Sequence, residues 1–369
     1  MRVLLISPKN RTIYNFKGDL IKELLAKGHE VWVTGPDETD LDRILALGVQ
    51  FILTPMTKTG TSVFGDFRYF LSLRKIFKQH QIDVVLSYTV KPIVYGSMAA
   101  KLAKVKHINS MVTGAGYVFT ATTPKAKALS VMVKCLYKVG FKCSDRVIFL
   151  NKDDQEEFCK GRLLQLDKCY VIDGEGVNMT QFAKTLPYPK PVTFFMLSRL
   201  LRTKGVMEYL QAAKNVKARY PQVQFMLLGS YHAMPQAIPL SEIEPYEADG
   251  TVTRYEEHPN VKEFYEKCSV YVLPSYREGV PRTVLEAMAM ERPIITTDAN
   301  GCRETVIHGY NGFLIPVQDI KALEEKMEYF ILHEDKIEEM GKNAFDLCKK
   351  KFEVPKINKD ILEILWGNQ

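Results

Sequence analysis

The sequence predicts an α/β protein that contains two doubly wound parallel sheets. Short apolar runs of strand length alternate along the chain with amphipathic stretches of helix length, which is typical of parallel strands joined by helical crossovers. The segment Leu186–Pro191 holds three prolines in six positions and separates two such patterns. Because 369 residues also exceed what one hydrophobic core usually organises, we expect two domains.

In the first half, the apolar run Val3–Ile6 predicts the first strand. The amphipathic stretch from Phe16 to Lys27, which Gly28 ends, predicts the first helix. Four further strands are predicted at Glu30–Thr34, Gln50–Leu53, Val84–Ser87 and Arg146–Leu150.

The proline-rich segment is the predicted linker. The predicted domains are therefore residues 1–186 and 187–352, followed by a C-terminal helix at 353–369. This helix can pack back on either domain, and the N-terminal domain is the candidate for that contact. Strands of the second domain are predicted at Thr193–Leu197, Gln224–Leu228, Val270–Leu273, Ile294–Thr296 and Gly312–Ile315. Since doubly wound sheets bind ligands beyond the carboxyl ends of their strands, we expect the active site between the domains.

Composition excludes several classes of protein. Hydrophobic residues make up 46% of the chain and charged residues 25%, as in ordinary globular proteins. No apolar run approaches the roughly 20 residues of a membrane-spanning helix. Seven cysteines without Cys-x-x-Cys spacing argue against a disulfide framework or a zinc knuckle. The N-terminus is more typical of a strand than of a secretory signal, so we expect a cytoplasmic protein.

The net charge of +7 is unevenly distributed. Residues 1–185 carry 20 Lys and 7 Arg against 17 Asp and Glu, a net of +10, so the remainder carries −3. Segment 84–144 has no acidic residue but holds Lys91, Lys101, Lys104, Lys106, Lys125, Lys127, Lys134, Lys138 and Lys142. Such a face favours a polyanion, either nucleic acid, anionic lipid or a diphosphate.

The densest group of candidate site residues begins at Glu278, just after a predicted strand. Pro281 falls in what should be the first turn of a helix, where its missing N–H costs nothing. Amides at a helix start bind anions. The candidate amides are those of Gly279, Val280, Arg282 and Thr283.

Two carboxylates in this region, Glu278 and Glu286, are too far apart to share a proton or a metal. A carboxylate accepts hydrogen bonds from two adjacent hydroxyls, which suits a ribose at one position and a hexose at the other. Taken alone, such a pair is more often two solvated glutamates on a surface helix. The neighbouring motifs favour the binding interpretation.

Cations follow the first strand of the second domain. Arg199 and Lys204 there can clamp a diphosphate and stabilise it as it leaves. In the first domain, Gly18 opens the first helix, where a glycine lets backbone approach a phosphate. No His or Cys spacing suggests a metal, and the pattern Asp40-Leu41-Asp42 is more typical of a helix start, so no metal is expected.

In their order and spacing, these residues resemble the retaining glycosyltransferases of the GT-B fold, family four. The resemblance covers essentially the whole chain. It rests on Phe16-Lys17-Gly18, Gly28-His29-Glu30-Val31, Arg199 with Lys204-Gly205, Glu278 with Glu286, Asn300-Gly301-Cys302-Arg303-Glu304, and Gly309-Tyr310-Asn311-Gly312-Phe313. It implies two Rossmann-like domains facing each other across a cleft, retention of configuration and no metal cofactor. The leaving phosphate would take the acceptor proton, so no dedicated protein base is implied.

The resemblance also implies residue roles. The catalytic residues would be Glu278, Arg199 and Lys204. The donor-binding residues would be Gly18, Arg199, Lys204, Glu278, Gly279, Val280, Pro281, Arg282 and Glu286. Arg199 and Lys204 would hold the pyrophosphate of a UDP-sugar, Glu278 the transferred sugar, Glu286 the ribose, and Gly18 a phosphate from the opposite domain.

The segments 88–92 and 111–119 resemble the subgroup that extends sugars on undecaprenyl diphosphate, including transferases that add N-acetylgalactosamine to a diacetylbacillosamine lipid carrier. This implies a lipid-diphosphate acceptor and an N-acetylhexosamine donor. The implied acceptor-binding residues are Tyr88, Lys91, Thr113 and Gly114. Thr113 stands where many relatives carry a histidine near the donor hexose, so that histidine's role does not carry over.

The lysine-rich N-terminal domain is predicted to lie on anionic headgroups, at the inner face of the cell membrane. The amphipathic stretch Pro124–Lys142 predicts an interfacial helix, with an ordinary surface helix as the alternative. Aromatic residues expected on the same face are Tyr88, Tyr95, Tyr117, Phe119, Tyr137 and Phe141.

Other functions share some of these features. Another donor or a soluble acceptor would keep the reaction class. A nucleotide-sugar 2-epimerase shares the architecture but needs acids and bases around the sugar ring. Nucleic-acid binding lacks a motif and an arginine-dominated surface, so no nucleic-acid partner is expected. A catalytically inactive scaffold is disfavoured because the four charged candidates of the second domain are all present.

Overall fold

A computed structural model describes residues 1–56, 62–115, 124–234 and 236–367, apart from the side chains of residues 125 and 126. By packing, the chain divides into two units, Met1–Glu175 with Pro355–Gln369, and Gly176–Val354. Each unit contains one parallel sheet with helical crossovers, which confirms the fold class that the sequence predicts.

The first unit has a seven-stranded sheet in the order β3-β2-β1-β4-β5-β6-β7. The strands are β1 (Arg2–Ile6), β2 (Glu30–Gly35), β3 (Gln50–Leu53), β4 (Val84–Tyr88), β5 (His107–Val112), β6 (Arg146–Phe149) and β7 (Cys169–Val171). Its helices are α1 (Asn10–Phe16), α2 (Gly18–Ala26), α3 (Leu41–Leu45), α4 (Val63–Gln79), α5 (Ser97–Ala103), α6 (Pro124–Cys143) and α7 (Lys152–Lys160).

The second unit has a six-stranded sheet in the order β10-β9-β8-β11-β12-β13. The strands are β8 (Thr193–Leu197), β9 (Gln224–Leu228), β10 (Thr253–Tyr255), β11 (Val270–Leu273), β12 (Ile294–Thr297) and β13 (Gly312–Ile315). Its helices are α8 (Val206–Arg219), α9 (Leu240–Ala248), α10 (Lys262–Glu266), α11 (Arg282–Ala289), α12 (Ile320–Leu332) and α13 (Asp335–Lys351). The last helix is α14 (Val354–Trp366).

Every strand predicted from an apolar run is present, but three strands were missed. These are β5, in which polar residues interrupt the apolar run, and the three-residue strands β7 and β10. Strand β5 lies inside the sheet, and its side chains Asn109 and Ser110 are buried, each with a hydrogen-bond partner. Asn109 donates through Nδ2 to the carbonyl of Leu365 at 3.2 Å, and the Ser110 hydroxyl lies 2.8 Å from that of Ser144. Such pairing is invisible in a hydrophobic pattern.

The first predicted helix, from Phe16 to Lys27, corresponds to α2, and a separate helix that was not predicted, α1, precedes it. The backbone at Lys17 leaves helical values, with φ −114° and ψ −3°, and separates them. Helix α1 lacks the apolar repeat that predicted α2, since its buried residues are only Asn10 and Ile13.

The division between the units lies at Glu175, ahead of the proline-rich segment predicted as the linker. Leu186–Pro191 belongs to the second unit because its aromatic side chain packs there. The ring of Tyr188 has the ammonium of Lys184 at 4.0 Å and the guanidinium carbon of Arg292 at 4.8 Å. Helix α14 groups with the first unit, where Trp366 stacks near His29 at 4.8 Å.

Candidate active site

Most of the predicted donor-site residues lie at one edge of the second sheet. The strand order reverses between β8 and β11, whose carboxyl ends lie side by side. Doubly wound sheets bind ligands at this point. Arg199 and Lys204 follow β8, and the segment Glu278–Pro281 follows β11.

Lys204 and Glu278 meet at this edge as an ion pair between Nζ and Oε1. Both side chains are largely withdrawn from solvent, with 16% and 15% exposure. A close pair of opposite charges in such surroundings interacts more strongly than at an open surface. The structure thus brings together a cation and a carboxylate that the sequence places 74 residues apart.

Backbone contacts hold the two loops that carry this pair. The amide of Tyr276 donates to the carbonyl of Thr203 at 2.9 Å. Gly205 has φ +72°, and a Cβ there would lie 2.1 Å from the carbonyl oxygen of Pro274. Only glycine allows this approach, because the left-handed conformation and the contact both exclude a side chain.

A third loop, after β12, supports Glu278 from the other side. The amide of Glu278 donates to the carbonyl of Asn300 at 2.9 Å. Gly301 has φ +77°, and a Cβ there would lie 2.2 Å from the Gly279 carbonyl oxygen and 2.3 Å from that of Glu278. The position of Glu278 therefore depends on Gly301, a residue that the motif contained but to which no role was assigned.

Helix α11 begins one residue later than predicted. Pro281 is its N-cap rather than part of the first turn, since its ψ of 109° is extended and its carbonyl accepts from the amide of Val284 at 3.0 Å. Gly279, Val280 and Pro281 form a buried segment that leads into the helix. Amides of a helix's first turn have no partner within that helix, and such a start can bind an anion. The amides of Arg282 and Thr283 lie in this first turn.

Glu286 lies within α11 and is 9% exposed. Its carboxylate accepts from the hydroxyl of Tyr265 at 3.0 Å and from Nε of Arg282 at 3.4 Å. Burial raises the pKa of Glu286, while Arg282 and Tyr265 oppose that shift. Tyr265 comes from α10 and was missed, because no local pattern links it to a residue 21 positions away.

Among the charged donor-site residues predicted in the second unit, Arg199 is not joined to this group by the described contacts. It is exposed, and its Nη1 lies 3.9 Å from the sulfur of Met234. A second arginine of the same loop, Arg202, is engaged by Glu242 through two contacts of 2.6 and 2.7 Å.

The predicted acceptor residues lie at the carboxyl edge of the first sheet. Tyr88 ends β4 and pairs in register with Met111 of β5, so Thr113 and Gly114 leave the sheet beside it. Tyr88 is only 2% exposed, and its hydroxyl lies 3.3 Å from that of Thr12. Burial raises the pKa of Tyr88 well above its ordinary value.

Lys17, which received no role from the sequence, is buried beside Tyr88. Its Nζ pairs with Glu175 at 2.5 Å and lies 5.4 Å from the centre of the Tyr88 ring. Its neighbour Gly18 opens α2, and a Cβ there would make only an ordinary contact with Leu47 at 3.7 Å. The fold itself therefore does not require a glycine at this position.

Lys91 is already neutralised within the first unit. Its Nζ lies 2.7 Å from Oδ1 of Asp66, whose other oxygen accepts from the hydroxyl of Tyr95 at 3.2 Å. Both partners of the ion pair are largely buried. An acceptor phosphate at Lys91 would have to compete with this carboxylate.

The predicted aromatic membrane face is wrong for three of its residues. Tyr88, Tyr137 and Phe141 are at most 2% exposed. Tyr137 and Phe141 stack on one another at 5.1 Å in the core beneath α6. Their positions on the helix face the sheet, and burial of large rings there stabilises the folded protein more than their exposure to solvent would. Tyr117 and Phe119 lie outside the described residues.

Comparison with known proteins decides the class of enzyme. Residues 2–151 match the family model "Glycosyl transferase 4-like", and residues 178–346 match "Glycosyl transferases group 1". The chain is a GT-B glycosyltransferase of family four. The predicted enzyme class is therefore confirmed, and each matched family model covers most of one packing unit of this glycosyltransferase.

Two similar sequences have informative names. The glycosyltransferase is 28% identical to the N,N'-diacetylbacillosaminyl-diphospho-undecaprenol alpha-1,3-N-acetylgalactosaminyltransferase of Campylobacter jejuni, over 93% of each chain. It is 27% identical to the UDP-Gal:alpha-D-GlcNAc-diphosphoundecaprenol alpha-1,3-galactosyltransferase of Escherichia coli, over 74% of this chain and 73% of that one.

Solved structures share the fold of this glycosyltransferase. A glycosyltransferase from Rickettsia africae superposes with a TM-score of 0.80 at 18% identity, over 100% of this chain and 99% of that one. Anabaena Alr3699/HepE, in complex with UDP and glucose, superposes with a TM-score of 0.79 at 17% identity over the whole of both chains. Within the residues that the structure describes, no helix is long and apolar enough to cross a membrane.

Proposed function

We propose that this glycosyltransferase moves an N-acetylhexosamine from UDP to a saccharide carried on undecaprenyl diphosphate. The first candidate for the transferred sugar is GalNAc. The names of both similar transferases contain a diphosphoundecaprenol acceptor and an alpha-1,3 linkage, and they differ in the sugar that is transferred. The features that the names share support the acceptor class. The N-acetylgalactosaminyl assignment follows the relative that matches 93% of the chain.

The observation that carries the donor site is the Lys204–Glu278 pair at the reversal point of the second sheet. In this proposal the diphosphate binds over the start of α11, with Lys204 and Arg199 as its cations. Glu278 accepts hydrogen bonds from the sugar and Glu286 from the ribose. The second unit is thus the donor domain and the first unit the acceptor domain.

The proposed reaction retains the anomeric configuration and uses no metal. The bond between the anomeric carbon and the diphosphate oxygen breaks, and the acceptor oxygen bonds to that carbon on the same face. The acceptor proton passes to the leaving diphosphate, so no protein base is needed. Lys204 and the helix start stabilise the negative charge that develops on the leaving group.

A thermal-shift series of UDP, UDP-GalNAc, UDP-GlcNAc and UDP-Gal, with EDTA present, tests the donor assignment. A ligand at 100 times its Kd adds about 2.7 kcal/mol to the free energy of unfolding. We expect stabilisation by the uridine nucleotides, and the sugar nucleotide that gives the largest shift identifies the sugar. The shift should be weakened in Lys204→Ala and kept in Lys214→Ala, whose exposed lysine pairs with Asp249 instead.

The acceptor assignment needs a separate assay. Labelled UDP-sugar is incubated with a short-chain polyprenyl diphosphate that carries a saccharide, and with the free saccharide as control. We expect transfer to the lipid-linked form, with NMR showing an alpha linkage. Absence of a shift by every nucleotide would contradict the donor site, and equal transfer to the free saccharide would contradict the acceptor class.

A further inference from the structure

One face of α4 exposes large apolar side chains to solvent. Phe64 is 91% exposed, Val63 80%, Phe67 59% and Leu71 44%. Isolated apolar residues are ordinary on a protein surface, but aromatic side chains grouped on one helix face mark an interaction surface. This helix was not part of the membrane surface that the sequence predicted.

These exposed residues share one side of the helix by their spacing. Phe64, Phe67 and Leu71 follow at intervals of three and four, which places them on one face. The opposite face is buried, and its residues are Asp66, Tyr69, Leu73, Ile76 and Phe77. Helix α4 is therefore anchored in the first unit through one face and leaves the apolar face uncovered within the described part of the chain.

The charge on α4 is cationic at the surface. Arg68, Lys75 and Lys78 are exposed. The one acid of the helix, Asp66, points inward, where Lys91 pairs with it at 2.7 Å. The exposed face thus combines aromatic and aliphatic side chains with positive charge and no carboxylate.

The same combination continues on the two neighbouring helices. Helix α5 packs against both α4 and α6. It exposes 58% of Leu102, and α6 exposes 62% of Val131 and 44% of Val139. Both helices lie within segment 84–144, which has no acidic residue. All three packed helices therefore expose apolar side chains, and every charged residue of α5 and α6 is a lysine.

We propose that Phe64, Phe67 and Leu71 insert into the headgroup region of an anionic lipid bilayer, with Lys75 and Lys78 on the phosphates. Charge complementarity selects this occupant. Lysine is depleted at the core of protein interfaces, whereas apolar side chains flanked by lysines are typical of helices that lie in a membrane surface. This proposal rests on the proposed function, because a lipid-linked acceptor is presented at such a surface.

Flotation of the full chain with phosphatidylcholine vesicles, with and without phosphatidylglycerol, tests the proposal. We expect binding that requires the anionic lipid, and at least about tenfold weaker partitioning in the double variant Phe64→Ser, Phe67→Ser. The matched control is Ile307→Ser, Leu332→Ser, which removes two side chains of the second unit that are 53% and 63% exposed. It should partition like the unchanged protein, and neither variant should lower the unfolding midpoint.

Vesicle binding that is absent in the unchanged protein, or equal in the Phe64, Phe67 variant, would overturn the proposal. Light scattering gives a further check of the oligomeric state. If the unchanged protein is a dimer, and the variant is a monomer that binds vesicles equally well, the face binds a second copy of the chain instead. Sugar transfer to a water-soluble acceptor analogue separates this proposal from the proposed function. The Phe64, Phe67 variant should retain this transfer activity. If the unchanged protein bound vesicles but transferred no sugar, only the proposed function would be rejected.

Discussion

Lys204 and Glu278 form an ion pair across the point where the strand order of the second sheet reverses. The two residues follow different strands. Their loops are fixed by two backbone hydrogen bonds, from the Tyr276 amide to the Thr203 carbonyl and from the Glu278 amide to the Asn300 carbonyl. The pair places a positive charge and a carboxylate ahead of α11, whose start is the proposed anion-binding position.

Removal of the Lys204 ammonium should lower sugar transfer. We expect Lys204→Ala to reduce kcat/KM by at least about tenfold, a loss of about 1.4 kcal/mol of transition-state stabilisation, because the leaving diphosphate loses a cation. Glu286→Ala should reduce kcat/KM by at least the same factor. Initial rates with the UDP-sugar measure this, with Lys214→Ala as the control; unchanged rates in both site variants would reject the donor-site assignment.

The support of Glu278 by Gly301 can be tested with a matched glycine. A side chain at Gly301 would strike two carbonyl oxygens, whereas Gly250 has a similar φ of +74° and nothing within 4 Å of its Cβ position. Gly250→Ala should lower the free energy of unfolding by about 1 kcal/mol, because of the left-handed conformation alone. Gly301→Ala should lower the free energy of unfolding by about 2 kcal/mol or more and should also reduce the rate of sugar transfer. Urea unfolding and initial rates measure both effects, and equal losses in the two variants would contradict the contact.

Tyr188 should stabilise the second unit through a buried arginine. Arg292 is 0% exposed, and none of its guanidinium nitrogens has a hydrogen-bond partner within the described residues, so the ring of Tyr188 is its compensating contact. Tyr188→Leu should lower the free energy of unfolding by about 3 kcal/mol.

Tyr188→Phe keeps the ring and loses only the hydroxyl that donates to the Glu291 carbonyl at 2.7 Å. It should cost about 1 kcal/mol. Urea unfolding distinguishes the two, and a Phe variant as unstable as the Leu variant would assign the stabilisation to the hydroxyl instead.

The pH dependence of stability should reveal the buried Glu286. Because burial raises its pKa, the folded protein binds the proton more tightly than the unfolded chain does. The contribution of this group is thus complete below its unfolded pKa, near 4.5, and is lost as pH rises through the higher folded value. Glu286→Gln should therefore gain stability relative to the unchanged protein at pH 7.5 but not at pH 4.5. Urea unfolding at both pH values measures this, and a variant less stable at pH 7.5 would contradict the raised pKa of Glu286.

The hydrophobic pattern predicted strands well where a strand contains an uninterrupted apolar run. Strand β11, with Val270 to Leu273, was found because parallel strands buried on both faces read as apolar runs. Strand β5 was missed, since Asn109 and Ser110 interrupt its apolar run and become acceptable only through distant hydrogen-bond partners.

The prediction of a membrane surface shows the same limit. A period of 3.6 residues in α6 indicated an amphipathic helix, but the period alone does not say which face meets the sheet. Packing buried Tyr137 and Phe141 and left the apolar face of α4, with Phe64 and Phe67, exposed.

The sequence by itself determined the α/β class, the enzyme class and the segments that carry the candidate site, because strand periodicity and short motifs are local properties of the chain. Only the tertiary structure decided which side chains meet. The pairing of Lys204 with Glu278, the contact of Tyr265 with Glu286 and the burial of Tyr88 depend on which strands are neighbours and on how loops far apart in the chain pack. Contact energies fall steeply with distance, so these relationships exist only once the sheets have formed.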